Sequence, residues 1–138
     1  MKKYEFIDHT ADLGVEVYGK DLNELFENAG EALFEIICDM SNVIESVKRV
    51  ITLESDDLEQ LMVVWLGELL YLYDTESLLF KRFDIQSIGN KRLEAIIYGE
   101  ELKAGHHTIN AEIKAVTYHQ IQVRQEGNRW KSRVIFDM

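Results

Sequence analysis

Apolar residues recur along this chain in two rhythms. Between Leu22 and Ile37 they fall three and four apart, as in Leu22, Leu25, Phe26, Ala29, Leu33 and Ile37. That spacing is one face of an α-helix, and Glu24, Glu27, Glu31 and Glu35 fall on the other. Asp21, three residues ahead of Glu24, has the form of a capping box, and the pattern stops near Asp39. A second helical stretch opens at Ser55-Asp56-Asp57, any of which suits an N-cap. Its stripe runs Leu58, Leu61, Met62, Trp65, Leu66, Leu69 and Leu72. Val63, Val64 and Leu70 widen the stripe, which predicts a helix buried on most sides and ending near Ser77. The other rhythm is alternation. It predicts strands over residues 4–7, 13–18, 47–54, 80–88, 92–98 and 129–136, with one or two more over 108–118 and 120–125. Gly89-Asn90 reads as a two-residue hairpin turn, and residues 100–107 as a polar loop. Strands and helices alternate too irregularly for a doubly wound parallel sheet. The expected fold class is α+β: a two-layer domain over residues 1–138, with a mainly antiparallel or mixed sheet and both helices on one face.

Composition narrows the picture. A length of 138 residues suits one domain with one core. Proline is absent, and nothing reads as a linker or a repeat. The single cysteine, Cys38, lies in the helical pattern, so it has no intramolecular disulfide partner and is expected to be a buried thiol. Met1-Lys2-Lys3 leads straight into Tyr4-Glu5-Phe6 without the apolar core of a signal peptide. The greasiest stretch, 58–73, carries Glu59, Gln60 and Glu68 and is short for a membrane span. The expectation is a cytoplasmic protein with no membrane association. The net charge of −10 weighs against a protein that grips nucleic acid by its phosphates, because that needs a basic face. It fits a cation or a basic protein partner.

Candidate chemistry lies at both ends of the chain. Asp8, His9, Thr10 and Asp12 form a polar knot between two strand-like runs, where a rigid scaffold can present side chains. Asp137 follows the last apolar strand, and the terminal carboxylate of Met138 stands one residue beyond it. If Asp12 folds near them, three hard oxygen groups converge, a set that suits Ca²⁺ or Mg²⁺ rather than Zn²⁺. A competing arrangement pairs His9 and His119 with Asp8 or Asp12 as a small metal-dependent hydrolytic site. No recognisable nucleophile or metalloprotease motif accompanies it. His106 and His107 are adjacent, and in an extended chain they cannot face one point.

Read together, these segments resemble a known family. Asp8-His-Thr-Ala-Asp-Leu-Gly14, Leu25-Phe26 with Ala29 and Ala32-Leu33-Phe34, Trp65-Leu66 with Glu68-Leu69-Leu70, Glu112-Ile-Lys-Ala-Val-Thr-Tyr-His119, and Trp130 with Val134-Ile-Phe-Asp137 follow the archease pattern in order. The resemblance implies a small acidic protein that is not itself an enzyme. Its implied role is to activate the GTP-dependent RtcB-type RNA ligase of tRNA splicing and RNA repair, by promoting ligase guanylylation and multiple turnover. A looser implication is a chaperone-like modulator of other proteins. The family is described as holding a divalent cation, usually taken as calcium. By motif its ligands fall on Asp12, Asp137 and Met138, the last through a main-chain or terminal oxygen. Asp8, His9, Lys114 and His119 lie in the matched motifs as candidates for partner contact or support.

Overall fold

The computed structural model describes residues 2–8 and 11–138. Its strands are β1 (Tyr4–Asp8), β2 (Asp12–Gly19), β3 (Val47–Glu54), β4 (Leu78–Ile88), β5 (Arg92–Glu101), β6 (Ala115–Val116), β7 (Gln122–Glu126) and β8 (Arg129–Asp137). The helices are α1 (Leu22–Ile37) and α2 (Leu58–Glu76). The fold is α+β in two layers, and all the strand pairs are antiparallel. Where one sheet was expected, the strands divide into two. The first runs β1-β2-β8-β6, with β7 also pairing with β8; the second runs β3-β5-β4.

Both helices start as their sequences dictate. The Asp21 carboxylate accepts the Glu24 amide at 2.8 Å, and Asp57 accepts the Gln60 amide at 2.8 Å, removing one orphan donor from each first turn. Glu24 does not close a full capping box: its carboxylate accepts the amide of Lys20. α2 ends at Ser77, which takes the left-handed conformation at φ 57°. The helices bridge the two sheets, α1 packing mainly on β2 and β4 while α2 reaches strands of both. Phe34 and Phe83 stack, Trp65 meets Phe83 edge-on, and the Trp65 indole N–H donates to the Phe26 carbonyl. Burial of that N–H is thereby matched by an acceptor. Cys38 is buried, and burial pushes its thiol pKa up.

Two expected features differ in detail. Neither Gly89 nor Asn90 adopts positive φ. The Gly89 amide donates to the Arg92 carbonyl, so the turn is centred on Asn90-Lys91 and is not a primed type. Residues 108–118 are mostly irregular rather than extended in a sheet. The Asn110 amide donates instead to the Ile37 carbonyl at the end of α1, at 2.8 Å.

Candidate functional site

β8 lies between β2 and β6 and brings the two ends of the chain together. Alternation in β2 sends Leu13, Val15 and Val17 towards the core and Asp12, Gly14 and Glu16 to the other face. The β2–β8 register then pairs Glu16 with Arg133 and Asp12 with Asp137. Directly paired residues share a face, with Cβ atoms about 5 Å apart.

The two acidic positions on this face differ sharply. Glu16 is nearly buried, with Lys131 at 2.6 Å and Arg133 at 3.3 Å. Hydrogen bonding to Lys131, reinforced by Arg133, holds its carboxyl below the usual range. Asp12 and Asp137 stand directly opposite each other, and among the described residues neither has an ion-pair partner. Like charges directly opposite in a sheet are destabilising; at about 5 Å in water they repel by about 1 kcal/mol.

Glu16 therefore carries a pH signature. A depressed folded-state pKa contributes stability that is present above the ordinary glutamate pKa of about 4.3 and is lost as pH falls through the folded value. Glu16→Gln is expected to cost about 2 kcal/mol at pH 7. The gap to the wild type should narrow below about pH 4. Urea unfolding at several pH values reads this directly, and a gap that does not vary with pH would reject it.

The remaining expected site residues are placed unevenly. Met138 is partly buried and packs its side chain against the core, which leaves its main-chain oxygens as the donors relevant to a cation. The Lys114 amide donates to the Asp137 carbonyl at 2.8 Å, so Lys114 adjoins the acidic pair along the backbone. Asp8 falls opposite Leu13, which puts it on the face away from Asp12. His119 is exposed, in a turn where Gln120 has φ 54° and the Ile121 amide bonds the Tyr118 carbonyl. The Thr117 amide that leads into this turn bonds Ile135, two residues along β8 from Asp137. His9 lies outside the described residues.

Comparison with known proteins bears on the whole chain. Residues 4–138 match the archease protein family (MTH1598/TM1083). The chain belongs to the archease family. It is 40% identical over 141 residues to the protein archease of Methanosarcina acetivorans, covering 99% of this chain and 97% of that one. It is similar to the solution structure of Methanobacterium thermoautotrophicum protein 1598, with TM-score 0.87 and 41% identity over the full length of both chains. It also resembles the crystal structure of an archease, described as a possible chaperone, from Thermotoga maritima. There the TM-score is 0.67 and the identity 26%, over 96% of this chain and 94% of that one. Among the described residues, no helix is long and apolar enough to cross a membrane.

One cluster was not anticipated. Glu100, His106 and His107 converge within 4.8 Å. The objection that adjacent histidines diverge fails because the chain is not extended there. The amides of His106 and His107 both donate to the Lys103 carbonyl, and Gly105 has φ 82°. That backbone conformation is open to glycine at little steric cost. The Gly105 ahead of the two histidines was the only sequence signal for this turn.

Proposed function

We propose that this archease is a non-enzymatic protein cofactor of the GTP-dependent RtcB-type RNA ligase, acting in tRNA splicing and RNA repair by promoting ligase guanylylation and multiple turnover. The observation that carries the reading is the register of Asp12 with Asp137: two carboxylates with no ion-pair partner among the described residues share one face, in a family whose resemblance implies a cation there. The residues fit a hard divalent ion. Two carboxylates repel until a cation stands between them, and a main-chain oxygen of Met138 adds a third donor of the same class. Such oxygen sets suit Ca²⁺, which tolerates irregular geometry, better than Mg²⁺, which demands near-ideal octahedra and keeps several waters. An ion bound there would supply positive charge at the pair; Asp12 and Asp137 would hold it, and the Lys114 amide fixes the Asp137 backbone beside them.

The acidic surface speaks for a protein partner rather than for direct RNA binding. Opposite charge on the ligase would speed association at low salt. A chaperone-like role, in the words used for the Thermotoga relative, shares the need for a protein partner. The test is single-turnover guanylylation of the ligase with GTP. This protein alone should join no RNA and hydrolyse no generic phosphate ester, and substoichiometric amounts should raise formation of the ligase–GMP adduct. Unchanged guanylylation would overturn the activator reading. Hydrolysis by the isolated protein would favour a metal-dependent site of its own, built on Asp12 or on Asp8 but not on both, since the two lie on opposite faces.

A further inference from the structure

The cluster beyond β5 stands apart from the Asp12–Asp137 pair, in the second sheet. Glu100 is 2% exposed, and its ion partners among the described residues are two imidazoles. A buried carboxylate normally has a full positive charge beside it. A neutral imidazole supplies a hydrogen bond but no compensating charge.

The hydrogen bonds fix the role of each ring. His107 is buried, and its Nδ1 accepts the Lys103 amide at 2.9 Å. That nitrogen therefore keeps its lone pair, and the proton of the neutral ring sits on Nε2. Nε2 contacts Glu100 Oε1 directly and donates to it. Two ligands of one tetrahedral ion, each about 2.0–2.1 Å from the metal, stand about 3.3 Å apart. With its proton on Nε2 facing Glu100, His107 is a hydrogen-bond donor to the carboxylate and offers no lone pair to an ion there. His106 is different. Its Nε2 lies 3.9 Å from the same Glu100 oxygen and its side chain is 53% exposed. Closing the gap to ligand spacing needs about 0.6 Å of movement, which a solvent-facing side chain can supply. The Asn42 side-chain amide donates to the His106 carbonyl and braces its backbone.

We propose that Glu100 and His106 hold a Zn²⁺-class ion, with His107 as the positioning residue that orients the Glu100 carboxylate. The mixed imidazole–carboxylate set favours Zn²⁺, Co²⁺ or Ni²⁺ over Ca²⁺. Water would fill the remaining positions on the side of the exposed His106. His107 acts as outer-shell donors do at metal centres, where loss of one lowers affinity about 10- to 100-fold.

The experiment titrates Zn²⁺ by calorimetry, with Co²⁺ absorption as a spectroscopic check, into the full chain carrying Asp12→Asn and Asp137→Asn. That background separates this site from the calcium reading. One Zn²⁺ should bind, and Ca²⁺ in excess should not displace it. Adding His106→Ala should abolish binding, while His119→Ala should leave it unchanged. His107→Gln should weaken it about 10- to 100-fold; far-UV circular dichroism confirms that this buried variant is folded. If it is not, His106→Ala, which alters an exposed side chain, decides the matter. Zn²⁺ affinity that survives His106→Ala, or absence of binding in the background protein, overturns the site.

Discussion

Under the proposed activator role, Asp137→Ala is expected to bind the RNA ligase as the wild type does and yet leave its guanylylation unstimulated. The residue sits at the end of a paired strand, exposed, with its backbone held by the Ala115 pairing and the Lys114 amide. Removing the side chain leaves those backbone bonds in place, so the shape of this edge should persist. On the proposed reading, what goes is one of the two charges that would attract a cation. At an effective dielectric of about 20, a unit charge about 4 Å from a monovalent ion is worth about 4 kcal/mol, and a divalent ion feels more. After allowance for solvent, Asp12→Ala and Asp137→Ala should each lower Ca²⁺ affinity at least about tenfold. Asp137→Asn, which keeps the shape and drops the charge, should lose nearly as much. A binding curve beside a single-turnover guanylylation assay separates two mechanisms. Loss of binding and stimulation together would mean that the site orders a docking surface. Retained binding without stimulation would mean that the acidic pair or its cation acts at the ligase's own centre. Full stimulation by both alanine variants would remove the pair from the mechanism.

Gly99→Ala is expected to be among the most damaging single changes in the chain, costing about 3 kcal/mol or more. Gly99 lies in β5, the central strand of the second sheet, paired with Phe80 on one side and Val47 on the other. A Cβ there would lie 1.8 Å from the Leu79 carbonyl oxygen and 2.7 Å from the Phe80 Cα. Those are backbone atoms of the neighbouring strand, so no side chain can swing aside. The strands would have to part next to the register shift between Phe80 and Arg82. Gly67 is the built-in contrast. It lies inside α2 with nothing within 4 Å of an added Cβ, so Gly67→Ala should stabilise by up to about 1 kcal/mol through helix propensity. Urea unfolding of the pair gives changes of opposite sign. A Gly99→Ala variant within about 1 kcal/mol of wild type would show that β4 and β5 can separate at low cost.

Periodicity made much of this fold legible. The three-and-four spacing began α1 at Leu22 and α2 at Leu58 and placed the end of α1 close to its observed end at Ile37, because burial of one stripe dictates that spacing. Alternation located β3 and most of β8 for the same reason. It failed over residues 108–118 because their main partners are not strands alone. The Asn110 amide goes to a helix-end carbonyl, a bond that leaves no mark on side-chain pattern. The division into two sheets was equally hidden, since it depends on which distant strands pair. At the candidate site, residue type pointed to Asp12 and Asp137, but their opposition on one face is a property of the β2–β8 register. The Glu100–His106–His107 cluster needed more still, a turn made by one positive-φ glycine.

That same register has a temporal consequence. β2 is completed early in synthesis, yet its hydrogen-bonding partner β8 is more than a hundred residues away; Glu16 and Arg133 are separated by 117 positions. The β3-β5-β4 sheet closes over far shorter separations, with β4 and β5 joined by a tight turn. Loop-closure entropy favours the nearer pairings first. Pulse-labelled hydrogen exchange during refolding should therefore find amides of β5 protected before those of β2, and simultaneous protection would reject the order. Until β8 arrives, the hairpin of β1 and β2 carries an unpaired edge and the apolar face of Val15 and Val17, the condition in which newly made chains are most exposed to mispairing with one another.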